Sequence, residues 1–170
     1  EGQLSFTNLA VVLESWYDRQ AFVNSIWLAT AVSVAGTFLG YVYAFAVTRI
    51  PMSLWLKWFL GAVTTLPLIS PPFTSSIALT LSLGPNGILL KLLGIGNFNF
   101  YGFWGTWMSE TLTYFPVSFL TLAAVLTAID PNLEDAGLSL GASPGRVFRT
   151  VTLPLSVPGI ANSFLLLFAS

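Results

Sequence analysis

The sequence predicts an all-α fold, a bundle of helices that cross a membrane several times. Hydrophobic residues make up 55% of the 170 residues and charged residues only 8%, whereas soluble domains carry about 25% charged residues. The six basic and seven acidic side chains also leave long uncharged segments between them. This composition argues against a soluble enzyme and a disordered linker. The net charge of -1 argues against a protein that binds nucleic acid, which needs a basic face.

Four uncharged or nearly uncharged segments are candidates for membrane helices, because a helix needs about 20 apolar residues to cross the hydrocarbon core. The first is predicted to end where Arg49-Ile50-Pro51 stops the helix. The last candidate, from Val157 to Ser170, has only 14 residues. A helix of this length rises about 21 Å, which is too little to cross the membrane. We therefore expect a fragment, incomplete at the C-terminus, with three full spans and the start of a fourth. The predicted spans are residues 21–48, 55–83, 102–128 and 157–170 onward.

Small residues and prolines inside the spans suggest where helices approach or bend. Gly36 and Gly40 form a GxxxG pair, a spacing that allows close helix contact but is also frequent in membrane helices without one. Pro67, Pro71 and Pro72 interrupt the second span. Broken backbone at membrane depth must face protein or a water-filled cavity. Two interpretations stay open: a kink packed against neighbouring helices, or a bend that lines a transport path.

Glu110 is the only acidic residue inside any predicted span, and Lys57 lies at the start of the second span. Ionisable side chains are costly in the hydrocarbon region and usually face protein or water. Three interpretations stay open for Glu110: a structural hydrogen bond, a position near the outer interface, or a translocation path shared with the prolines of the second span.

The residue types needed for most active sites are missing from this sequence. It has no cysteine and no histidine, so it lacks thiolate nucleophiles, the commonest general base and the commonest transition-metal ligand. No glycine is followed by lysine, which excludes the phosphate-binding pattern GxxxxGK[ST]. The sequence therefore predicts no catalytic residue, no metal site and no cofactor.

Positive charge predicts which loops face the cytoplasm. The 49–57 and 129–156 loops carry four Lys or Arg residues, and the opposite segments, 1–20 and 84–101, carry two. Because cytoplasmic loops of membrane proteins are richer in Lys and Arg, we expect the long polar loop at 129–156 to be cytoplasmic.

The 129–156 loop is predicted to form two short helices joined by a tight turn. Asp130 and Pro131 are typical of an N-cap and a first helical residue, and Ser143-Pro144 repeats that start. Gly141 is a natural stop for the first helix, and Leu153-Pro154 is expected to end the second. Apolar stripes run along both helices, so the loop suits docking to a soluble partner. The stripes are Leu133, Ala136 and Leu140 in the first helix, and Val147, Phe148 and Val151 in the second.

This loop resembles the EAA signature of the permease subunits of binding-protein-dependent ABC importers. The family pattern is Glu-Ala-Ala, three residues, Gly, nine residues, Ile, one residue and Leu-Pro. Here Asp135-Ala136-Gly137 is followed at the same spacing by Gly141, Val151 and Leu153-Pro154. The departures are Asp for Glu, Gly for the second Ala and Val for Ile, and Gly137 should weaken its helix by about 1 kcal/mol relative to Ala.

The resemblance extends over most of the chain and is greatest to the iron(III), 2-aminoethylphosphonate, thiamine and polyamine branch. Segments outside the loop carry this part of the resemblance, among them Gly84-Pro85-Asn86-Gly87, Tyr114-Phe115-Pro116 and residues 101–105 and 126–131. It implies the helical fold of type I importer permeases, that of the methionine permease, in the plasma membrane of a prokaryote. The implied cargo is iron(III) or, alternatively, a phosphonate, thiamine or a polyamine.

In this family the loop carries a coupling helix that docks on a cytoplasmic ATPase, whose ATP-driven closure switches the spans between inward-facing and outward-facing states. The resemblance also implies a second permease unit and an extracytoplasmic substrate-binding protein as partners. The coupling residues it implies are Glu134, Asp135, Ala136, Gly137, Gly141, Ala142, Ser143, Arg146, Val151, Leu153 and Pro154.

Two other classes remain open on the residues alone. A secondary transporter would also have broken apolar helices, but would typically carry more ionisable groups within the membrane than Glu110 alone. A structural membrane protein would not need the spacing of the loop.

Overall fold

The structure, a computed structural model, describes residues 15–84, 87–94 and 101–170, with Pro72 described by its backbone only. All regular secondary structure in these ranges is helical, which confirms the predicted fold class. The helices are α1 (Trp16–Arg49), α2 (Leu54–Ile69), α3 (Pro72–Leu83), α4 (Ile88–Leu92), α5 (Phe103–Ala128), α6 (Pro131–Ser139), α7 (Pro144–Val147) and α8 (Leu153–Phe168), and a π-helical turn, Phe148–Thr152, joins α7 to α8.

Four helical runs are long and apolar enough to cross a membrane: Trp16–Arg49, Phe73–Leu92, Phe103–Ala128 and Pro144–Phe168. The Phe73–Leu92 run includes residues 85 and 86, which lie outside the described ranges. The first and third runs contain the predicted spans 21–48 and 102–128 almost unchanged. The other two differ from prediction.

The predicted second span, 55–83, is divided into α2 and α3. Ser70 and Pro71 are extended, with ψ near 142° and 141°, because a residue that precedes proline is disfavoured in the helical region. Pro71 precedes Pro72, so the break falls at this pair. Pro67 lies inside α2 without ending it.

The prediction that Leu153-Pro154 ends the second loop helix is wrong. The π-helical turn ends at Thr152 and leads directly into α8, which holds Pro154 in its first turn, and the Leu153 N–H donates to the Phe148 carbonyl five residues back. The helical run from Pro144 to Phe168 therefore has 25 residues, about 37 Å of helix. It is long enough to cross a bilayer, so the last span is not limited to residues 157–170.

Helix α5 lies at the centre of the bundle, with α1 and α8 packed against it. A Cβ on Gly40 would lie 2.6 Å from the Ser118 Cβ and 2.8 Å from the Phe119 backbone N. Glycine is therefore required for this approach, and the GxxxG pair is a true helix contact. Gly159 of α8 lies as close to Val125, 2.7 Å from its Cγ2 when a Cβ is added.

Hydroxyl pairs join the helices inside the bundle. The Ser163 hydroxyl donates to Ser118 Oγ (2.6 Å), linking α8 to α5. The Tyr41 and Ser156 hydroxyls are 3.1 Å apart and link α1 to α8. Such bonds contribute to the association of helices in lipid, together with close van der Waals packing. A buried apolar cluster lies toward the α6 end of the bundle and comprises Ala44, Phe119, Leu122, Leu126 and Ile129.

Candidate functional site

Local backbone interactions shape the 129–156 loop into the predicted hairpin of two short helices, α6 and α7. The Asp130 carboxylate accepts a hydrogen bond from the Asn132 N–H (2.9 Å) and caps α6. Gly141 has φ +83°, a left-handed conformation that strongly favours glycine. The N–H groups of Ala142 and Gly141 donate to the carbonyls of Gly137 (3.1 Å) and Leu138 (2.9 Å). These two bonds form a Schellman motif, which ends α6 and reverses the chain.

Gly137 has a packing role that the sequence pattern did not indicate. A Cβ at this position would lie 3.1 Å from Val147 Cγ2, a tight contact with a buried side chain. Glycine in place of the family's alanine therefore allows α6 and α7 to lie closer together.

The two predicted apolar stripes face opposite ways. In α6, Leu133 is 49% exposed and Leu140 is 89% exposed, so this stripe has no partner in the described part of the chain. In the second stripe, Val147 is buried and the Phe148 ring packs on Phe45, with centroids 5.2 Å apart. The second stripe thus fixes the hairpin to α1, and the first is presented outward.

Glu134 connects the hairpin to the membrane helices. Its Oε1 lies 3.0 Å from Arg49 Nε and accepts a hydrogen bond from the Thr152 hydroxyl at 2.8 Å. Arg49 Nη2 donates to the carbonyls of Leu126 (3.0 Å) and Ile129 (3.5 Å) at the end of α5. We call Arg49, Glu134 and Thr152 the clamp. It joins the end of α1, the end of α5, α6 and the turn that precedes α8.

Neither Arg49 nor Thr152 was predicted as a site residue. Arg49 entered the sequence argument only through its effect on membrane orientation. The available signal was a single arginine directly after a long uncharged span, on the side where the acidic loop was expected. Sequence spacing cannot identify which acid such an arginine meets.

The other predicted coupling residues are distributed along the hairpin. Asp135, Ala136 and Arg146 are exposed, Gly137, Ala142 and Val151 are half-buried, and Ser143 Oγ accepts the Arg146 N–H (3.4 Å). Leu153 and Pro154 begin α8 and lie beyond the hairpin. The structure therefore brings most of these residues into one hairpin, with the Asp135 and Arg146 side chains outward and Glu134 turned toward Arg49.

Glu110 lies near the other end of α5, away from the hairpin. It lines a cavity of about 200 Å³ together with residues of α3 and of the segment that begins α5. The side chains of Pro67 and Pro71 do not line this cavity, so the predicted grouping of Glu110 with the prolines of the second span is not seen there. The lining residues are Ser76, Thr80, Tyr101, Gly102, Gly105, Thr106, Ser109 and Glu110.

Comparison with known proteins identifies the family of this chain. Residues 36–170 match the family described as the binding-protein-dependent transport system inner membrane component. The chain belongs to this family. The predicted resemblance of the chain to the importer permeases is thereby confirmed, and the membrane-length helices are those of an inner membrane component.

Relatives of this inner membrane component carry the names of different cargoes. The ferric transport system permease protein FbpB of Actinobacillus pleuropneumoniae is 32% identical over 92% of this chain and 23% of its own length. The Fe(3+)-transport system permease protein FbpB 2 of Haemophilus influenzae is 33% identical over 85% of this chain and 25% of its own. The molybdenum transport system permease protein ModB of Haemophilus influenzae is 35% identical over 71% of this chain and 58% of its own. The chain thus spans about a quarter of the length of the ferric relatives.

Substitution of Gly141 by valine is expected to disrupt the hairpin while leaving the membrane helices inserted. Nothing lies within 4 Å of an added Cβ, so the strain comes from the positive φ alone, about 1 kcal/mol or more for a branched residue. Limited proteolysis of the loop should become faster. Gly145→Ala is the matched control, because Gly145 also has open space but no positive φ. If the loop resists proteolysis equally in both variants, the left-handed conformation at residue 141 does not require glycine.

Proposed function

We propose that this chain is a transmembrane permease unit of an ATP-driven importer and that its α6–α7 hairpin docks on a cytoplasmic ATPase. The observation that carries the proposal is the clamp. A docking element can move the membrane helices only if it is rigidly connected to them. In this chain the connection consists of an ion pair and hydrogen bonds among four elements.

The outward face of the hairpin supports docking to a soluble partner. Leu133, Ala136 and Leu140 are exposed along α6, and an amphipathic helix that presents apolar residues at this spacing fits a hydrophobic groove. Asp135 and Arg146 are exposed beside this stripe. Charges at the rim of such a contact steer association and fix its register.

The clamp would transmit a displacement of the hairpin to the membrane helices. Glu134 holds α6 against α1 through Arg49, and the same guanidinium holds the α5 carbonyls. Thr152 adds the turn that continues into α8. Because α1, α5 and α8 also pack on one another, a movement of α6 would shift these helices as a group.

The proposed partners are ATPase subunits, a second permease unit and an extracytoplasmic substrate-binding protein. The family description names dependence on a binding protein. ATP hydrolysis is assigned to a separate subunit, because the sequence lacks GxxxxGK[ST]. Iron(III) is the proposed cargo, since a relative named for ferric transport matches 92% of the chain.

Charge reversal at Asp135 tests the docking. We expect Asp135→Lys to weaken co-purification of the ATPase with the full-length permease about tenfold, as for the loss of a rim charge pair worth about 1.4 kcal/mol. Asp18→Lys is the matched control, because Asp18 is an exposed acid in the first turn of α1, at the opposite end from Arg49.

Unchanged co-purification of Asp135→Lys would exclude Asp135 as a contact. Failure of the unmodified permease to retain any ATPase, in detergent and in lipid, would overturn the proposed function itself.

A further inference from the structure

The cavity beside Glu110 is rich in oxygen atoms. Four serine and threonine hydroxyls line it, from Ser76 and Thr80 of α3 and from Thr106 and Ser109 of α5. The Ser76 and Ser109 oxygens are 2.6 Å apart and hydrogen-bonded to each other, so the two walls of the cavity are joined. Oxygen atoms of hydroxyls and carboxylates are the ligands that hard cations prefer.

Glu110 is the charged group of this cavity, and the protein does not neutralise it there. Its side chain is half-buried, yet it forms no hydrogen bond or ion pair with any residue in the described ranges. It also lines a second cavity, of about 250 Å³, between α1, α5 and α8, together with Ser25 and Tyr114. An ionisable side chain at membrane depth usually faces a partner or a water-filled path. Glu110 faces cavities on two sides of α5.

The sign of the charge discriminates between classes of cargo. None of the described residues that line the two cavities is Lys or Arg. At the low effective dielectric of such a site, a carboxylate attracts a cation and repels an oxyanion such as molybdate. Rings of carboxylates select cations in channels for the same reason.

We propose that the cavity formed by Ser76, Thr80, Thr106, Ser109 and Glu110 is a binding site for a hard, oxygen-seeking cation. Glu110 is its specificity-determining residue and disfavours oxyanions. The assignment of this cavity to the route of the cargo rests on the proposed importer function. The preference of the cavity for cations is independent of that function and follows from the Glu110 carboxylate and the hydroxyl oxygens that line the cavity.

Binding is tested directly with Tb³⁺, a hard trivalent cation whose luminescence is sensitised by nearby tryptophan. Trp104 and Trp107, with ring centroids 6.0 Å apart, flank Thr106 and supply the sensitiser. In the purified full-length permease, the apparent affinity for Tb³⁺ is read from the sensitised luminescence. We expect Glu110→Gln to weaken this affinity about tenfold. Asp18→Asn, which removes one exposed acid elsewhere, should leave it unchanged.

Two further variants keep the test decisive if Glu110→Gln fails to fold. Glu110→Asp keeps the carboxylate and should retain a Tb³⁺ affinity within about threefold of the unmodified protein. Thr106→Val removes one hydroxyl ligand and should weaken Tb³⁺ binding by about threefold. Equal Tb³⁺ affinity in the unmodified protein, Glu110→Gln and Thr106→Val would overturn the proposal.

Transport then separates this inference from the importer function. Reconstituted permease, ATPase and binding protein are compared for ATP-dependent uptake of ⁵⁵Fe³⁺ and of molybdate. Loss of ⁵⁵Fe³⁺ uptake in Glu110→Gln, with ATP hydrolysis retained, supports the inference. Equal ⁵⁵Fe³⁺ uptake in Glu110→Gln, or a preference of the unmodified complex for molybdate, would overturn it. Absence of all ATP-dependent uptake would refute the importer function and leave the Tb³⁺ result standing on its own.

Discussion

Glu134→Gln is expected to lower transport by about tenfold or more while ATP hydrolysis continues. The substitution removes the charge that faces Arg49 Nε at 3.0 Å, where the two side chains are only 15% and 18% exposed. Removing one member of a largely buried pair leaves the other without compensation and costs about 1–3 kcal/mol. The hairpin would then move without carrying α1 and α5 with it.

The measurement is the ratio of cargo transported to ATP hydrolysed in proteoliposomes. Asp130→Asn is the matched control, because it removes a negative charge from the same loop while asparagine caps a helix as well as aspartate does. A normal ratio for Glu134→Gln, with the same ratio for the control, would show that the clamp does not transmit the movement. Combining Glu134→Gln with Arg49→Met should produce less than additive loss.

Gly40→Ala is expected to destabilise the bundle by about 1–3 kcal/mol, the usual range for overpacking a close contact. The added Cβ would overlap Ser118 and lie 2.8 Å from the Phe119 backbone N. Backbone cannot move aside as a flexible side chain can, so α1 and α5 must separate. Their separation would also disturb the Ser163–Ser118 hydrogen bond at 2.6 Å.

The thermal midpoint of the purified protein in detergent measures this effect. Gly61→Ala is the matched control, because Gly61 lies in α2 with nothing within 4 Å of an added Cβ. There the substitution should be neutral or stabilising by up to about 1 kcal/mol, from helix propensity alone. Equal midpoints for the two variants would contradict the close approach of α1 and α5.

The predicted elements that agree with the structure depend on short-range signals. Asp130, Pro131 and Gly141 specify the start and end of α6 through bonds to residues within a few positions. The uncharged lengths of the first and third spans are enough to predict membrane helices, because bilayer thickness sets a minimum length. The error at Leu153-Pro154 arose because proline was treated as a helix end. Here a π-helical turn leads into a new α-helix that holds Pro154 in its first turn, and such a turn has no clear sequence pattern.

The residues of this chain thus specify the fold class, the family and the two-helix hairpin through apolar length, caps and a left-handed glycine. Those features depend on neighbours along the chain and on the solvent. The contacts of the clamp and of the cavity beside Glu110 depend on packing between helices instead. Arg49 meets Glu134, and Ser76 meets Ser109 beside Glu110, only after the packing of the helices has brought distant segments together.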